Sequence, residues 1–142
     1  MKTKLFFLFA VFFITNIQAQ KAIIGKWKTI DDNTNEAKSI VEIYKSGNEY
    51  FGKITTILND ADKDKTCVKC KGNDKNKPIE GLVIIKKLTK NGTIYSDGTI
   101  TDPENGKTYT CKIWLDEKNG NVLNVRGYIA FFYRTQQWKR IS

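Results

Sequence analysis

Beyond residue 24, apolar and polar side chains alternate with a period of two, and turn-forming residues interrupt the alternation at short intervals. That pattern belongs to half-buried strands joined by tight turns, as in an all-β sandwich or barrel. Eight strands are predicted. The first, over 25–30, ends in Asp31-Asp32-Asn33-Thr34-Asn35, and the second, over 37–45, turns through Ser46-Gly47-Asn48 into a third over 50–58. A β-branched run over 82–88 lies between Gly81 and Asn91-Gly92, and a strand over 93–101 follows, with Asp97-Gly98 placed as a bulge. The dense turn signal Asp102-Pro103-Glu104-Asn105-Gly106 precedes a strand over 107–116. The last two strands are predicted over 122–129 and near 134–141. Antiparallel strands joined in sequence suit an eight-stranded up-and-down barrel, whose closure removes free edges; a two-sheet sandwich is the alternative.

The alternation also sorts side chains by face. In the sixth strand Tyr109, Cys111, Ile113 and Leu115 share the apolar face and are the natural lining, opposite Thr108, Thr110, Lys112 and Trp114. In the seventh, Leu123, Val125, Gly127 and Ile129 point inward while Arg126 and Tyr128 point out. The last strand sets Arg134, Gln136, Trp138 and Arg140 in one phase, so an interior Trp138 brings Arg134 and Gln136 with it. A guanidinium taken out of water needs a partner, because burying it unpaired costs several kcal/mol. One answer is structural: Arg140 or Arg134 stacks on Trp27 and bonds backbone carbonyls at the closed end. The other is functional: Arg134 and Gln136 offer donors to the polar head of a bound anion or amphiphile, with Tyr109, Ile113 and Val125 against its apolar part.

Two segments break the regularity. Residues 59–78 form a long loop in which Asp60, Asp62, Asp64 and Asp74 stand among six lysines; loops of this length in a small domain tend to be functional or mobile. Its Asp60-x-Asp62-x-Asp64 start resembles a calcium loop, but Lys65 stands where glycine is required and Lys71 where a bidentate glutamate belongs. The second, Ala130-Phe131-Phe132-Tyr133, falls where a hairpin turn is due yet holds no turn residue; it is expected to complete the core, or else to fold over the mouth as a lid. Asn91-Gly92-Thr93 spells a glycosylation acceptor, but Asn-Gly between apolar strands reads as a hairpin turn.

Compartment and charge narrow the function. Lys2, Lys4, an apolar run from Leu5 to Ile14 and Ala19 describe a cleaved export leader over 1–19, leaving residues 20–142 as one domain in the periplasm or outside the cell. No later stretch is long and apolar enough to be a transmembrane helix. The formal net charge of +9 includes two leader lysines. The other lysines are dispersed among Asp, Asn and Gly, which favours a solvated surface over a nucleic-acid interface. Export permits disulfides, and Cys67-Val68-Lys69-Cys70 is read as a local bridge pinning the loop, with Cys111 a buried free thiol. With no histidine and no second Cys-x-x-Cys, no metal site or cofactor is expected. The same absence removes Ser-His-Asp and Cys-His catalysis. Most carboxylates sit in turns, so an enzyme using carboxylates or the Cys67/Cys70 pair stays a distant third reading.

Several segments carry a family resemblance: Gly25-Lys26-Trp27-Lys28, Ser39-Ile40-Val41-Glu42-Ile43-Tyr44, Tyr50-Phe51-Gly52-Lys53-Ile54, Cys67-x-x-Cys70-x-Gly72 and Lys77-Pro78-Ile79-x-Gly81. They continue with Asp102-Pro103-x-x-Gly106-Lys107-x-Tyr109, Val125-Arg126-Gly127-Tyr128 and Arg134-Thr135-Gln136-x-Trp138. In this order they resemble the bacterial family known as domain of unknown function 2147, which implies an exported, lipocalin-like eight-stranded barrel of unestablished function. The ends also resemble the calycin pattern, in which an N-terminal Gly-x-Trp packs against a basic residue of the last strand. Here the barrel-closing set is Gly25, Trp27, Trp138 and Arg140 or Arg134. Tyr133 stands where that family often has glycine before Arg-Thr-Gln. The leading expectation is a barrel that binds a small hydrophobic or amphiphilic molecule in its interior. The alternative is a structural or adaptor barrel with a filled core that contacts envelope or protein partners.

Overall fold

A computed structural model describes residues 22–142; the expected leader, residues 1–19, lies outside the described residues. Eight antiparallel strands close into a barrel in sequence order: β1 (Gly25–Ile30), β2 (Ala37–Ser46), β3 (Glu49–Ile57), β4 (Val83–Asn91), β5 (Ile94–Thr101), β6 (Thr108–Leu115), β7 (Val122–Ile129) and β8 (Phe132–Arg140). Two short 3-10 turns, Asp60–Asp62 and Gly72–Asp74, lie in the long β3–β4 loop. Among the described residues no helix is long and apolar enough to cross a membrane.

Alternation sends the apolar phase of the strands inward, with a phase change in β4, where Ile85 and Leu88 are both buried on either side of Lys87 at a φ of 59°. Trp27, Val41, Ile43, Tyr50, Ile54, Ile85, Leu88, Tyr95, Cys111, Ile113, Leu123, Val125 and Trp138 are all buried in one cluster. The β4–β5–β6 wall bends at Asp97, whose φ is 64°, where the β5–β6 register shifts between Tyr95 and Gly98. Asp97-Gly98 is therefore an irregularity of the kind its sequence signals.

The two ends differ. The β2–β3, β4–β5 and β6–β7 turns lie at one end with both chain termini of the barrel; call it the closed end. The β1–β2 loop, the long β3–β4 loop, the β5–β6 loop and the β7–β8 turn form the other end, the mouth. Cys67 and Cys70 are joined by a disulfide in the long loop, Cα–Cα 5.3 Å, and both are buried. The loop presses onto Gly106 of the β5–β6 loop, which has φ of 70° and where a Cβ would run into the carbonyl of Lys69. Only glycine fits there without moving the disulfide loop.

The segment after β7 departs from expectation. Residues 130–133 do not complete the core. Ala130 takes a φ of 49° and forms, with Phe131, the turn of the β7–β8 hairpin, and Phe132 and Tyr133 already belong to β8. Phe131 is 98% and Phe132 79% exposed. The strand pairing explains why: Ile129↔Phe132 is the last rung of the ladder, one pair beyond Tyr128↔Tyr133, and no opposing loop covers the hairpin there.

Candidate functional site

The closed end is built by β1 and the end of β8. Trp27 is wholly buried, and its indole Nε1 donates to the Ile23 carbonyl at 2.8 Å, so buried Ile23 plugs the barrel floor. Of the two basic candidates, Arg140 reaches Trp27, its guanidinium carbon 4.2 Å from the ring centroid. Its N–H groups donate to Ala22 O at 2.6 Å, to Ile24 O at 3.4 Å and to Gly120 O at 3.3 Å. Burial lowers the Arg140 pKa. Gly25 has φ of 138°, and a Cβ there would strike the carbonyl of Ser142, so the terminus can cross beneath β1 only against glycine. Ser142 O in turn accepts from Lys26 N at 2.8 Å. These contacts make a packed, hydrogen-bonded floor.

Higher in the barrel the inward positions turn polar. Thr29 and Ser39 share a hydroxyl bond of 2.8 Å between β1 and β2. Gln136 pairs with Val125 and Arg134 with Gly127, both on the inward phase of β8, and Trp138 Nε1 donates to Gln136 Oε1 at 3.2 Å. Arg134 is not buried. Its Nε donates to Asp32 Oδ2 at 2.7 Å, its Nη2 makes a second ion-paired contact with the same oxygen, and Gln136 Nε2 adds a bond of 3.3 Å. The Arg134 side chain is 64% exposed and that of Asp32 38%.

This cluster stands where the barrel wall is thinnest. The β1–β8 ladder holds only the pairs Trp27↔Arg140 and Lys28↔Lys139, whereas β7–β8 runs from Val122↔Lys139 to Ile129↔Phe132. Above Lys28 the seam is joined by Asp32 with Arg134 and Gln136. Across the mouth, Lys38 of β2 bonds Glu104 of the β5–β6 loop and lies 3.3 Å from Asp31. Burial alone would lower the Lys38 pKa, but its bonds to Glu104 and Asp31 outweigh that and raise it; Asp31 is lowered by the backbone N–H groups of Asn33 and Thr34, with Lys38 adding to them.

The predicted ligand-contacting residues therefore differ in exposure. Ile113 and Val125 are buried in the packed interior, with Val125 directly opposite Gln136 in the β7–β8 ladder, while Tyr109, half-buried with its hydroxyl 3.3 Å from Asn105 Nδ2, lies nearer the mouth with Arg134. Two surface pockets accompany them. One, of about 340 Å³, lies outside the wall against Tyr44, Phe51 and Lys86; the other, of about 470 Å³, lies at the mouth's rim against Lys69, Lys71, Lys107 and Ile129. Among the described residues no three side chains of His, Cys, Asp or Glu converge as metal ligands.

Sequence reasoning missed Asp32, reading it as a turn residue. The signal was there once closure was assumed: continuing the Trp27–Arg140 register brings Asp32 opposite Thr135, between Arg134 and Gln136. It also left Arg126 without a partner. Arg126 lies on the outer wall, 4.9 Å from the Trp114 ring centroid and 4.3 Å from that of Tyr133, with its Nε 2.7 Å from Thr135 Oγ1.

Comparison with known proteins agrees with this architecture. The chain is similar in structure to a protein from Helicobacter pylori described as "Protein HP1028 from the human pathogen Helicobacter pylori belongs to the lipocalin family". The TM-score is 0.72 at 20% identity, over 85% of this chain and 84% of that one, a likeness of fold. No functionally curated protein matches the chain. The sequence model of the family described as "Uncharacterized protein conserved in bacteria (DUF2147)" matches residues 25–140, nearly the whole barrel, and the chain belongs to that family.

Proposed function

We propose that this is an exported binding barrel that takes a small amphiphilic molecule at its mouth. Arg134 and Gln136 hold the anionic head, and Tyr109 and Ile129 flank the apolar part. The observation that supports this most is the state of Arg134. A guanidinium on the inward phase of the last strand is left more than half exposed, and its partner is a loop carboxylate. Asp32 stands where the acid group of a ligand would sit, as an internal stand-in that a ligand displaces. The polar Thr29–Ser39 pair and Gln136 extend the same lining, so the upper barrel is suited to a head group. Val125, opposite Gln136 in the β7–β8 ladder, and Ile113 beside it supply the apolar wall at that level. The leader over 1–19 supplies the export route, and the Cys67–Cys70 disulfide suits an oxidising compartment.

The test is a titration with a medium-chain fatty acid, followed by calorimetry and by native mass spectrometry of protein from its own host. Arg134→Met should weaken binding at least about tenfold, the scale of one charge-assisted contact. Asp32→Asn should tighten it by removing the competitor. Equal affinity in all three proteins, or no binding in any, would end the proposal. N-terminal sequencing tests export: the exported form should begin at Gln20.

A second reading, a structural or adaptor barrel, draws on the tightly packed interior, where Trp27, Ile43, Ile85, Leu88, Ile113 and Leu123 are wholly buried.

A further inference from the structure

The β7–β8 hairpin ends in a solvent-exposed apolar tip whose outermost residues, Phe131 and Phe132, have no part in the ligand proposal. Phe131 is 98% and Phe132 79% exposed, Tyr133 61% and Ile129 49%; Phe131 lies beyond the last rung of the sheet, Ile129 and Phe132 form that rung, and Tyr133 stands in the one before it. Surface hydrophobics scattered singly need no account, but four contiguous ones do. Beside this tip, Lys69 and Lys71 of the disulfide loop and Lys107 of the β5–β6 loop gather around the 470 Å³ recess that Ile129 also lines. Among the described residues none of these three lysines is in an ion pair, whereas several acids of the same end are. Asp31 and Glu104 bind Lys38, Asp32 binds Arg134, Asp60 binds Lys63 and Asp62 binds Lys65. The local surface beside the tip is thus basic as well as apolar.

We propose that this tip docks the barrel onto an anionic lipid bilayer, with Phe131 and Phe132 entering the interface and Lys69, Lys71 and Lys107 meeting the phosphate headgroups. Shape and charge favour that occupant. The tip is convex, so a yielding bilayer accepts it where a rigid surface would need a matching groove. A two-fold dimer through the tip would set the same lysines of both copies near one another, at an electrostatic cost. Tyr133, held against Arg126 on the outer wall, lies one residue from the wedge, where an amphipathic ring suits the headgroup level.

Flotation with vesicles tests this, using protein as its host processes it and with the N terminus checked by intact mass, so that the apolar run from Leu5 to Ile14 cannot supply the binding. The barrel should float with phosphatidylglycerol–phosphatidylcholine vesicles, less so at high salt and far less with phosphatidylcholine alone. F131S/F132S should lower partitioning on the order of tenfold or more. K69E/K71E/K107E should abolish the preference for phosphatidylglycerol, since each lysine near an anionic surface contributes about fivefold. All of these side chains are exposed or at the rim, so both variants should melt with the wild type. A nitroxide on Phe131→Cys, with Cys111 buried and Cys67 tied to Cys70, should report a position below the headgroups. Failure of the wild type to float, equal flotation of F131S/F132S, or an unchanged lipid preference in the lysine variant would overturn the proposal. So would a concentration-dependent dimer in sedimentation that F131S/F132S abolishes while vesicle binding is absent.

Discussion

Arg140 and Arg134 stand on the same strand and in the same phase, yet their surroundings are opposite. Arg140 lies over a buried indole and spends its donors on backbone carbonyls from two other segments, all of them fixed parts of the fold. Arg134 faces a single carboxylate on a loop, and the pair is largely exposed on the arginine's side and partly on the acid's. The first arrangement cannot be exchanged for a ligand without opening the barrel floor. The second is open to exchange under the proposed function, in which a soluble anion takes the place of Asp32 with like chemistry. One strand therefore carries an arginine fixed to backbone carbonyls at one end and an arginine in an exposed ion pair at the other, and the difference lies in what each faces.

The sharpest way to break the contrast is at the floor. Trp27→Ala removes a wholly buried indole, its bond to Ile23 and the platform for Arg140. A loss of about 3–5 kcal/mol is expected in urea unfolding. Arg140→Met keeps the apolar stem but deprives Ala22 and Gly120 carbonyls of donors, and should cost about 2 kcal/mol. Arg140→Lys should restore only part of this, since an ammonium lacks the planar fork. A floor variant that unfolds at the wild-type denaturant concentration would erase the distinction between the two arginines.

At the mouth the strongest constraint is the disulfide. Cys67 and Cys70 are three residues apart, so the bridge restrains a short loop and contributes roughly 2 kcal/mol at most. Cys67→Ser should lower the melting temperature modestly and speed proteolysis within 59–78 while leaving the barrel closed. Cys111 reports whether it does: burial pushes its thiol pKa up to about 12, so it should resist alkylation at pH 8 until the whole barrel opens. Rapid labelling of Cys111 in native Cys67→Ser would show that the mouth and the wall unfold together.

Much of this architecture was legible because it rests on local rules. Period-two alternation placed the strands and their faces, Asp97-Gly98 gave an irregularity, and Trp27 with a basic partner gave the closure. The hairpin tip was not legible, because Ala130 adopts a left-handed φ that short-range propensity assigns to glycine or asparagine. A run of Phe-Phe-Tyr then reads as core by composition, although the strand pairing carries it to the rim. Asp32 was hidden for a different reason. Its role depends on the pairing of the first strand with the last, a contact between residues about a hundred positions apart that no local window contains.

The smallest stability effect carries the most functional weight. Arg134→Met removes an ion pair that is largely exposed on one side and partly on the other, and such pairs contribute about 0–1 kcal/mol. A double-mutant cycle with Asp32→Asn should give a coupling within that range, and added salt should shrink it further. Trp138 and the β7–β8 ladder hold β8 in place without the pair, so the fold has little reason to need it. If the measured coupling instead approached the loss expected for Arg140→Met, Arg134 would be a second structural clasp across the thin β1–β8 seam, and the ligand-exchange role would lose its physical basis. A near-zero coupling combined with lost fatty-acid binding would separate the two ends of β8 in function: one arginine would close the container, and the other would meet what enters it.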